Sequence, residues 1–203
     1  QKLRYSDPRM FGKMKCFLID LTASLADLQN SIIKSYKWGL DPHQATLTEL
    51  MNQMTRWQKS TKNIKSLMLE QNIIFGIGNY LASEILHKSK INPHTVGKNL
   101  SPKQIQSLAK ATKDIVAKAI KTGGYSFAGG YFHPDGSKGQ MAKYIKAYEK
   151  EGKVCSVCKT GIIKKEFINS RSTFWCPVCQ NNKKGKEKEC SICLTETLLK
   201  LFF

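Results

Sequence analysis

The chain has 203 residues, with 33 Lys and Arg against 15 Asp and Glu, a formal net charge of +18. Hydrophobic residues make up 41% of it, enough for packed cores, which excludes a chain disordered throughout. No apolar run approaches the ~20 residues a membrane-spanning helix needs, and no secretory leader pattern is present, so the expectation is an intracellular protein that is not embedded in a membrane. The first residue is Gln1, which leads to the expectation of a further segment ahead of it. A surplus of +18 favours a polyanionic partner. Nucleic acid is the commonest one, because its phosphates release counterions to Lys and Arg.

Residues 1–20 read as extended, with a turn at Asp7-Pro8 and strand formers from Gly12 to Ile19; Cys16 in this run is expected to be a small core residue. Residues 24–37 show helical spacing at Leu25, Leu28, Ile32 and Ile33, and Gly39 and Pro42 then break the chain. Thr46-Leu47-Thr48-Glu49 is a capping box followed by Leu50, Met51, Met54 and Trp57 on one face. A short helix is predicted over 62–69, with Ile64, Leu67 and Met68 inward, and another over 79–88. Ser101-Pro102-Lys103-Gln104 is a helix start with a cap, an N1 proline and a reciprocal Gln. Ile105, Leu108, Ile115 and Ala119 line one side of that helix until Gly123-Gly124 stops it. Six glycines and one proline between 123 and 140 predict a mobile loop, and a further helix is expected over 140–150. Lys183 to Glu189 is a charged, solvated stretch.

Six of the seven cysteines follow residue 150. Cys155-Ser-Val-Cys158 and Cys176-Pro-Val-Cys179 are two C-x-x-C pairs 17 residues apart. Each such turn presents two thiolates to one tetrahedral ion, and two turns joined by a β-hairpin close a four-sulfur Zn²⁺ site. Two disulfides are the alternative, disfavoured in an intracellular setting. So small a unit builds little core, and metal binding would supply its folding energy. Cys190-Ser-Ile-Cys193 is a third pair: the start of a second metal site or, the reading we favour, two free thiols.

Gly76-Ile77-Gly78 precedes a helix start, with Asn79 placed to cap it. The glycines permit close backbone approach and the first helical amides face outward, which suits a phosphate; the same pattern also serves plain packing.

At this point the sequence resembles a known family. Gly76-Ile77-Gly78-Asn79-Tyr80-Leu81-Ala82-Ser83-Glu84-Ile85-Leu86, followed by Ile91-Asn92-Pro93, is similar to the helix–two-turns–helix of the formamidopyrimidine-DNA glycosylase and endonuclease VIII family. Arg171-Ser172-Thr173-Phe174-Trp175-Cys176-Pro177-Val178-Cys179-Gln180 resembles its closing zinc finger. Asp7-Pro8-Arg9-Met10-Phe11-Gly12 resembles the end of its N-terminal β-sandwich domain, and Gly39-Leu40-Asp41-Pro42 its linker.

The resemblance implies a mainly α fold with small β. It sets residues 1–40 as the remnant of the β-sandwich and linker, 41–150 as the helix–two-turns–helix domain, 151–182 as the zinc finger and 183–203 as a charged tail. It implies a DNA glycosylase and AP lyase of base-excision repair that removes oxidised bases. The partner would be double-stranded DNA with an oxidised base or abasic site, bound by a monomer in a DNA-containing compartment. Asn79 and Gly78 would hold a phosphate beside the lesion, with Lys65 near the same phosphates. Arg171 would clamp the phosphates flanking the extruded nucleotide, its planar fork suiting two oxygens at once. Phe11 would wedge into the stack and Arg9 bond the orphaned base, offsetting part of the unstacking cost. One structural zinc would sit on Cys155, Cys158, Cys176 and Cys179. Gly123-Gly124-Tyr125-Ser126 to Gly130 matches a loop that covers the flipped base in some members. Tyr125 and Tyr131 would either stack on bases or simply pack, and none of the four histidines receives a role.

The sequence departs from the family in three ways. The zinc ligands are spaced one residue wider, Met10 stands where a basic residue is frequent, and nothing matches the N-terminal proline nucleophile, its neighbouring glutamate and a domain lysine. The chain by itself is therefore expected to bind DNA without catalysing. The alternatives are a non-catalytic zinc-dependent DNA-binding module or, more weakly, an RNA-associated zinc ribbon.

Overall fold

A computed structural model describes residues 22–28, 35, 38–126, 133 and 135–181. Arg9, Phe11, Cys16, Tyr131, Cys190, Cys193 and the charged tail lie outside the described residues. The chain divides into two compact units, Gln1–Trp38 and Gly39–Phe203. In the first, residues 25–28 are helical, with the Ser24 hydroxyl accepting from the Asp27 N–H at 3.2 Å, and Leu25 is exposed.

Among its described residues the second unit is built on four α-helices and a hairpin. Helix α1 spans Leu47–Thr55, α2 Ile64–Met68, α3 Asn79–Ser89 and α4 Pro102–Lys121. The expected caps form. Thr46 and Glu49 satisfy each other's backbone amides at the start of α1, and Ser101 and Gln104 do so at the start of α4. Apolar spacing then sets the faces. Leu50 and Met54 of α1, Trp57 of the 3₁₀ turn Arg56–Lys59, and Ile105 and Leu108 of α4 are buried in one cluster with Ile64, Leu67 and Met68. Helix α3 lies between α4 and the hairpin, in contact with both. The second helix is shorter than the predicted 62–69, because Asn63 caps it through the Ser66 N–H at 2.9 Å. No helix forms over 140–150; only the 3₁₀ turn Met141–Tyr144 is present, and the backbone beyond it is taken up by α3, as described below. Among the described residues no helix is long and apolar enough to cross a membrane.

Strands β1 (Lys164–Ile168) and β2 (Arg171–Trp175) pair antiparallel, from Lys164 opposite Trp175 to Ile168 opposite Arg171. The two-residue turn Asn169-Ser170 has φ of 49° and 60°, the twist a tight hairpin requires. Its own core is small: Ala147, Cys155, Ile163, Phe174 and Cys176. The hairpin therefore depends on what it is fastened to.

Three polar side chains fasten it to the helical layer. Glu84 of α3, 2% exposed, accepts from the backbone N–H groups of Lys146, Ala147 and Tyr148 at 2.8–2.9 Å. Gln180, fully buried, accepts from the Cys176 N–H at 2.8 Å and donates to the Ile91 carbonyl at 2.8 Å. Asn169 at the hairpin tip donates to the Ser66 hydroxyl at 2.6 Å. Tyr148 meets Tyr80, Tyr125 and Phe174 edge to face and Tyr125 is tilted against Tyr80, so Tyr125 packs here, its hydroxyl donating to Glu149.

The linker is stitched into the same unit. The Gly39 N–H donates to the Gln71 carbonyl at 2.8 Å, and Leu40 bridges Ile74. A Cβ on Gly39 would lie 2.2 Å from the Ile73 carbonyl carbon, so only glycine fits there.

Glu84→Ala strands the buried Ala147 amide and two half-buried ones at once, and is expected to cost about 2 kcal/mol or more of unfolding free energy, read from urea melts. Glu84→Gln keeps one acceptor oxygen and should cost less. Equal melts for both variants and the wild type would remove Glu84 from this role.

Candidate nucleic-acid interface and metal centre

The loop before α3 is shaped by one side chain. Gln71 accepts from the Gly76 N–H at 2.8 Å and donates to the Leu69 and Ile77 carbonyls at 3.1 Å. Gly76 sits at φ 80°, a conformation that favours glycine. The loop then delivers Gly78 to the N-cap of α3. This corrects the expectation for Asn79: Gly78 is the cap residue and brings no side-chain oxygen to the first-turn amides. Asn79 is the first helical residue, which frees its side chain for another partner.

That partner is the hairpin. The Asn79 side-chain amide donates to the Ser172 carbonyl at 2.8 Å and lies 3.2 Å from the Ser172 hydroxyl. Its Oδ1 is buried with no hydrogen-bond partner among the described residues. Arg171, next to Ser172 and opposite Ile168 near the hairpin turn, is exposed. Asn79 and Arg171, 92 positions apart, are thus brought to one place.

Lys65 joins them from below. It is fully buried, and its ammonium donates to the Asn79 carbonyl and to the Ser83 hydroxyl, both at 3.0 Å. Burial, helped by the Arg171 guanidinium, pushes its pKa down to about 7. Lys65 therefore supports the first turn of α3 from beneath instead of reaching out as a surface cation. Neither Lys65 nor Arg171 forms an ion pair with a carboxylate among the described residues. The result is an uncapped helix end beside an exposed guanidinium and above a buried ammonium, an arrangement suited to a bound anion.

The four cysteines meet at the base of the hairpin. Their Sγ atoms all lie within 4.8 Å of one another, and none is in a disulfide. Cys155 and Cys179 are 3.7 Å apart, as are Cys158 and Cys176. A tetrahedron of sulfurs about 2.3 Å from a central ion has edges of about 3.8 Å, so the cluster is positioned to hold a metal ion. The Gly161 N–H donates to Cys158 Sγ at 3.2 Å and the Cys179 N–H points to Cys176 Sγ at 3.4 Å. Backbone donors at Thr160 and Gly161 pull the Cys158 thiol down to about 6, while burial pushes Cys176 and Cys179 up.

Sequence reasoning missed several of these residues. Gln71, Glu84, Ser172 and Gln180 act through partners far along the chain, which no local pattern announces. Glu84 left one trace: it falls three residues after Leu81, on the inward side of α3, where a carboxylate needs partners. Neither His87 nor His94 carries a local sequence signal. His87 is buried with Nε2 3.3 Å from Cys155 Sγ, and burial together with Lys146 lowers its pKa to about 4, so the ring is neutral. His94 pairs with Glu166 at 2.7 Å and stacks edge-on to Trp175.

The fold and site define a helix–two-turns–helix protein with a cysteine-clustered hairpin. Residues 38–128 match the formamidopyrimidine-DNA glycosylase H2TH domain. The chain is 34% identical over 180 residues to the formamidopyrimidine-DNA glycosylase of Rickettsia conorii, covering 89% of this chain and 62% of that protein. Against the enzyme of Listeria innocua it is 34% identical over 179 residues, covering 88% and 62%. Among solved structures it is similar to the Lactococcus lactis Fpg in complex with an abasic site containing DNA. There the TM-score is 0.67 and the identity 33%, over 78% of this chain and 57% of that one. The Thermus thermophilus protein gives 0.66 and 26%, over 71% and 54%. The chain carries the H2TH domain of formamidopyrimidine-DNA glycosylases and is similar to those proteins beyond it, spanning about three fifths of the length of the curated relatives it matches.

The buried ammonium makes stability pH-dependent. Folded Lys65 releases its proton near pH 7, unfolded Lys65 only at about 10.4. Above pH 7 the unfolded chain therefore binds more protons, and stability rises with pH until the unfolded group also titrates. From pH 7 to 9 the wild type is expected to gain stability over Lys65→Met, by on the order of 1 kcal/mol per pH unit. Parallel pH profiles in urea melts would show that Lys65 is not held as described.

Proposed function

We propose that this chain is the damaged-DNA-binding part of a DNA glycosylase and AP lyase of base-excision repair. Its substrate would be double-stranded DNA carrying an oxidised base or an abasic site. The observation that carries this reading is the convergence of Asn79, Arg171 and buried Lys65 at the uncapped start of α3. The solved relatives named for complexes with abasic-site DNA and with oxidised-pyrimidine DNA support the choice of ligand.

In this reading the α3 amides and the Asn79 side chain take one phosphate next to the lesion. Arg171 takes the flanking phosphate oxygens with two parallel N–H donors, which strains the strand and favours extrusion of the nucleotide. Lys65 stays beneath, its charge sustained when a phosphate arrives above it. Arg9 and Phe11 would fill the gap left by the flipped base. The family's nucleophile, a secondary amine that attacks the sugar and forms an imine, has no counterpart among the residues assigned here. The protein would act as a monomer in a DNA-containing compartment of the cell.

The metal is assigned as one structural Zn²⁺ on Cys155, Cys158, Cys176 and Cys179. The sulfur-only donor set and the 3.7 Å Sγ separations support this. The ion would close the base of the hairpin and so hold Arg171 and Ser172 against α3.

Arg171→Ala is expected to weaken binding to an abasic-site duplex and to lower the slope of log affinity against log salt by about one. Unchanged affinity across a salt series would remove Arg171 from the interface. Metal analysis of the purified chain is expected to find about one zinc per chain. A metal-free protein whose thiols all titrate in the native state would overturn the zinc assignment.

A further inference from the structure

The cluster's sulfurs are not equally served by their surroundings. Cys158 and Cys176 each have a backbone N–H directed at Sγ from within their own turn. Neither Cys155, fully buried, nor Cys179, half-buried, has a backbone N–H directed at its Sγ among the described residues; of the two, Cys155 is the one more removed from water. In that place stands the His87 ring, with Nε2 3.3 Å from Cys155 Sγ and the residue itself 3% exposed. His87 belongs to α3, not to the hairpin, and sits eight residues beyond Asn79, about 12 Å along the helix axis.

Four thiolates around one divalent ion leave a net charge of −2 in a site that burial partly removes from water. N–H donors to sulfur disperse that charge and lower the tendency of a thiolate to leave the metal. The two local donors are of the kind any C-x-x-C turn supplies. The donor to Cys155 must come from elsewhere, and the fold brings it from the helix that carries the phosphate site.

Resting on the zinc assignment above, we propose that His87 is an outer-sphere positioning residue of the metal centre. Its Nε2–H donates to the Cys155 thiolate, slows metal loss and ties the ion directly to α3. One helix then presents the phosphate-binding amides at its start and steadies the metal near its end.

The test uses the full chain loaded with zinc, with release followed in excess chromophoric chelator. His87→Phe fills the same space without a donor; His87→Gln restores an N–H at about the same reach. The expected result is metal release about tenfold or more faster in His87→Phe, with His87→Gln returning toward the wild-type rate. Equal release from all three proteins would overturn the proposal, as would equally fast release from both variants, which would mean that the ring only packs. A readout on the wild type guards against a variant that fails to fold. ¹⁵N-resolved spectra of the zinc-loaded chain should show His87 as the Nε2–H tautomer, with that proton protected from solvent exchange. An Nδ1–H tautomer would overturn the assignment. The metal content of the wild type judges the zinc reading separately.

Discussion

The hydrogen bonds that fasten the hairpin along α3 are the constraint on which the site depends. A two-stranded hairpin with a core of a few side chains is marginal by itself. Here Glu84 accepts three amides of the approaching chain, Gln180 joins the second cysteine turn to the end of the helix, and Asn79 reaches Ser172 at the other end. Each of these is a buried polar group that costs free energy unless paired. The hairpin is therefore held in one register and one orientation, because sliding it would leave several such groups unpaired at once. The four cysteines clustered at the base of the same hairpin are positioned to add a second restraint by holding a metal ion. Arg171 is exposed, yet its backbone is fixed from both sides.

That rigidity gives the electrostatics their meaning. An ammonium that is fully buried and has no carboxylate paired to it among the described residues is costly, and burial lowers its pKa accordingly. Lys65 tolerates the position because the Asn79 carbonyl and the Ser83 hydroxyl accept from it. The fold keeps positive potential where α3 begins, next to Arg171, with no acidic side chain paired to either residue among the described ones. For an anion bound there, as proposed, such an arrangement would leave less of the binding energy to go into ordering the site.

Much of this could be read from the sequence, and the division between what could and what could not has a physical basis. Capping boxes at Thr46 and Ser101, the turn glycines and the paired cysteines are local signals, decided by residues within a few positions of one another. Those elements appear as expected. The cysteine spacing likewise announces a cluster, since each pair carries its own turn. The misread positions are those set by tertiary contact. Asn79 looks like a cap because Asn caps well, but its amide finds Ser172, and Gly78 takes the capping place. The stretch after 140 has helical composition, yet its amides are claimed by Glu84, so no helix continues past the 3₁₀ turn at Met141–Tyr144. Lys65 resembles any other surface lysine until the fold closes over it.

The linker shows how a local irregularity serves the distant site. Gly39 lets the backbone pass within contact distance of Ile73, and Leu40 pairs with Ile74 and Phe75 on the loop that ends at Gly76 and Gly78. Gln71 holds that loop from its other side. The position of Gly78, and with it the direction in which the first amides of α3 point, is thus set by two backbone segments and one amide side chain. A bulkier residue at Gly39 would push on Ile73 and shift the loop without touching any residue of the interface. The direction of the first α3 amides is therefore governed as much by the Gly39–Leu40 segment as by the residues beside Asn79.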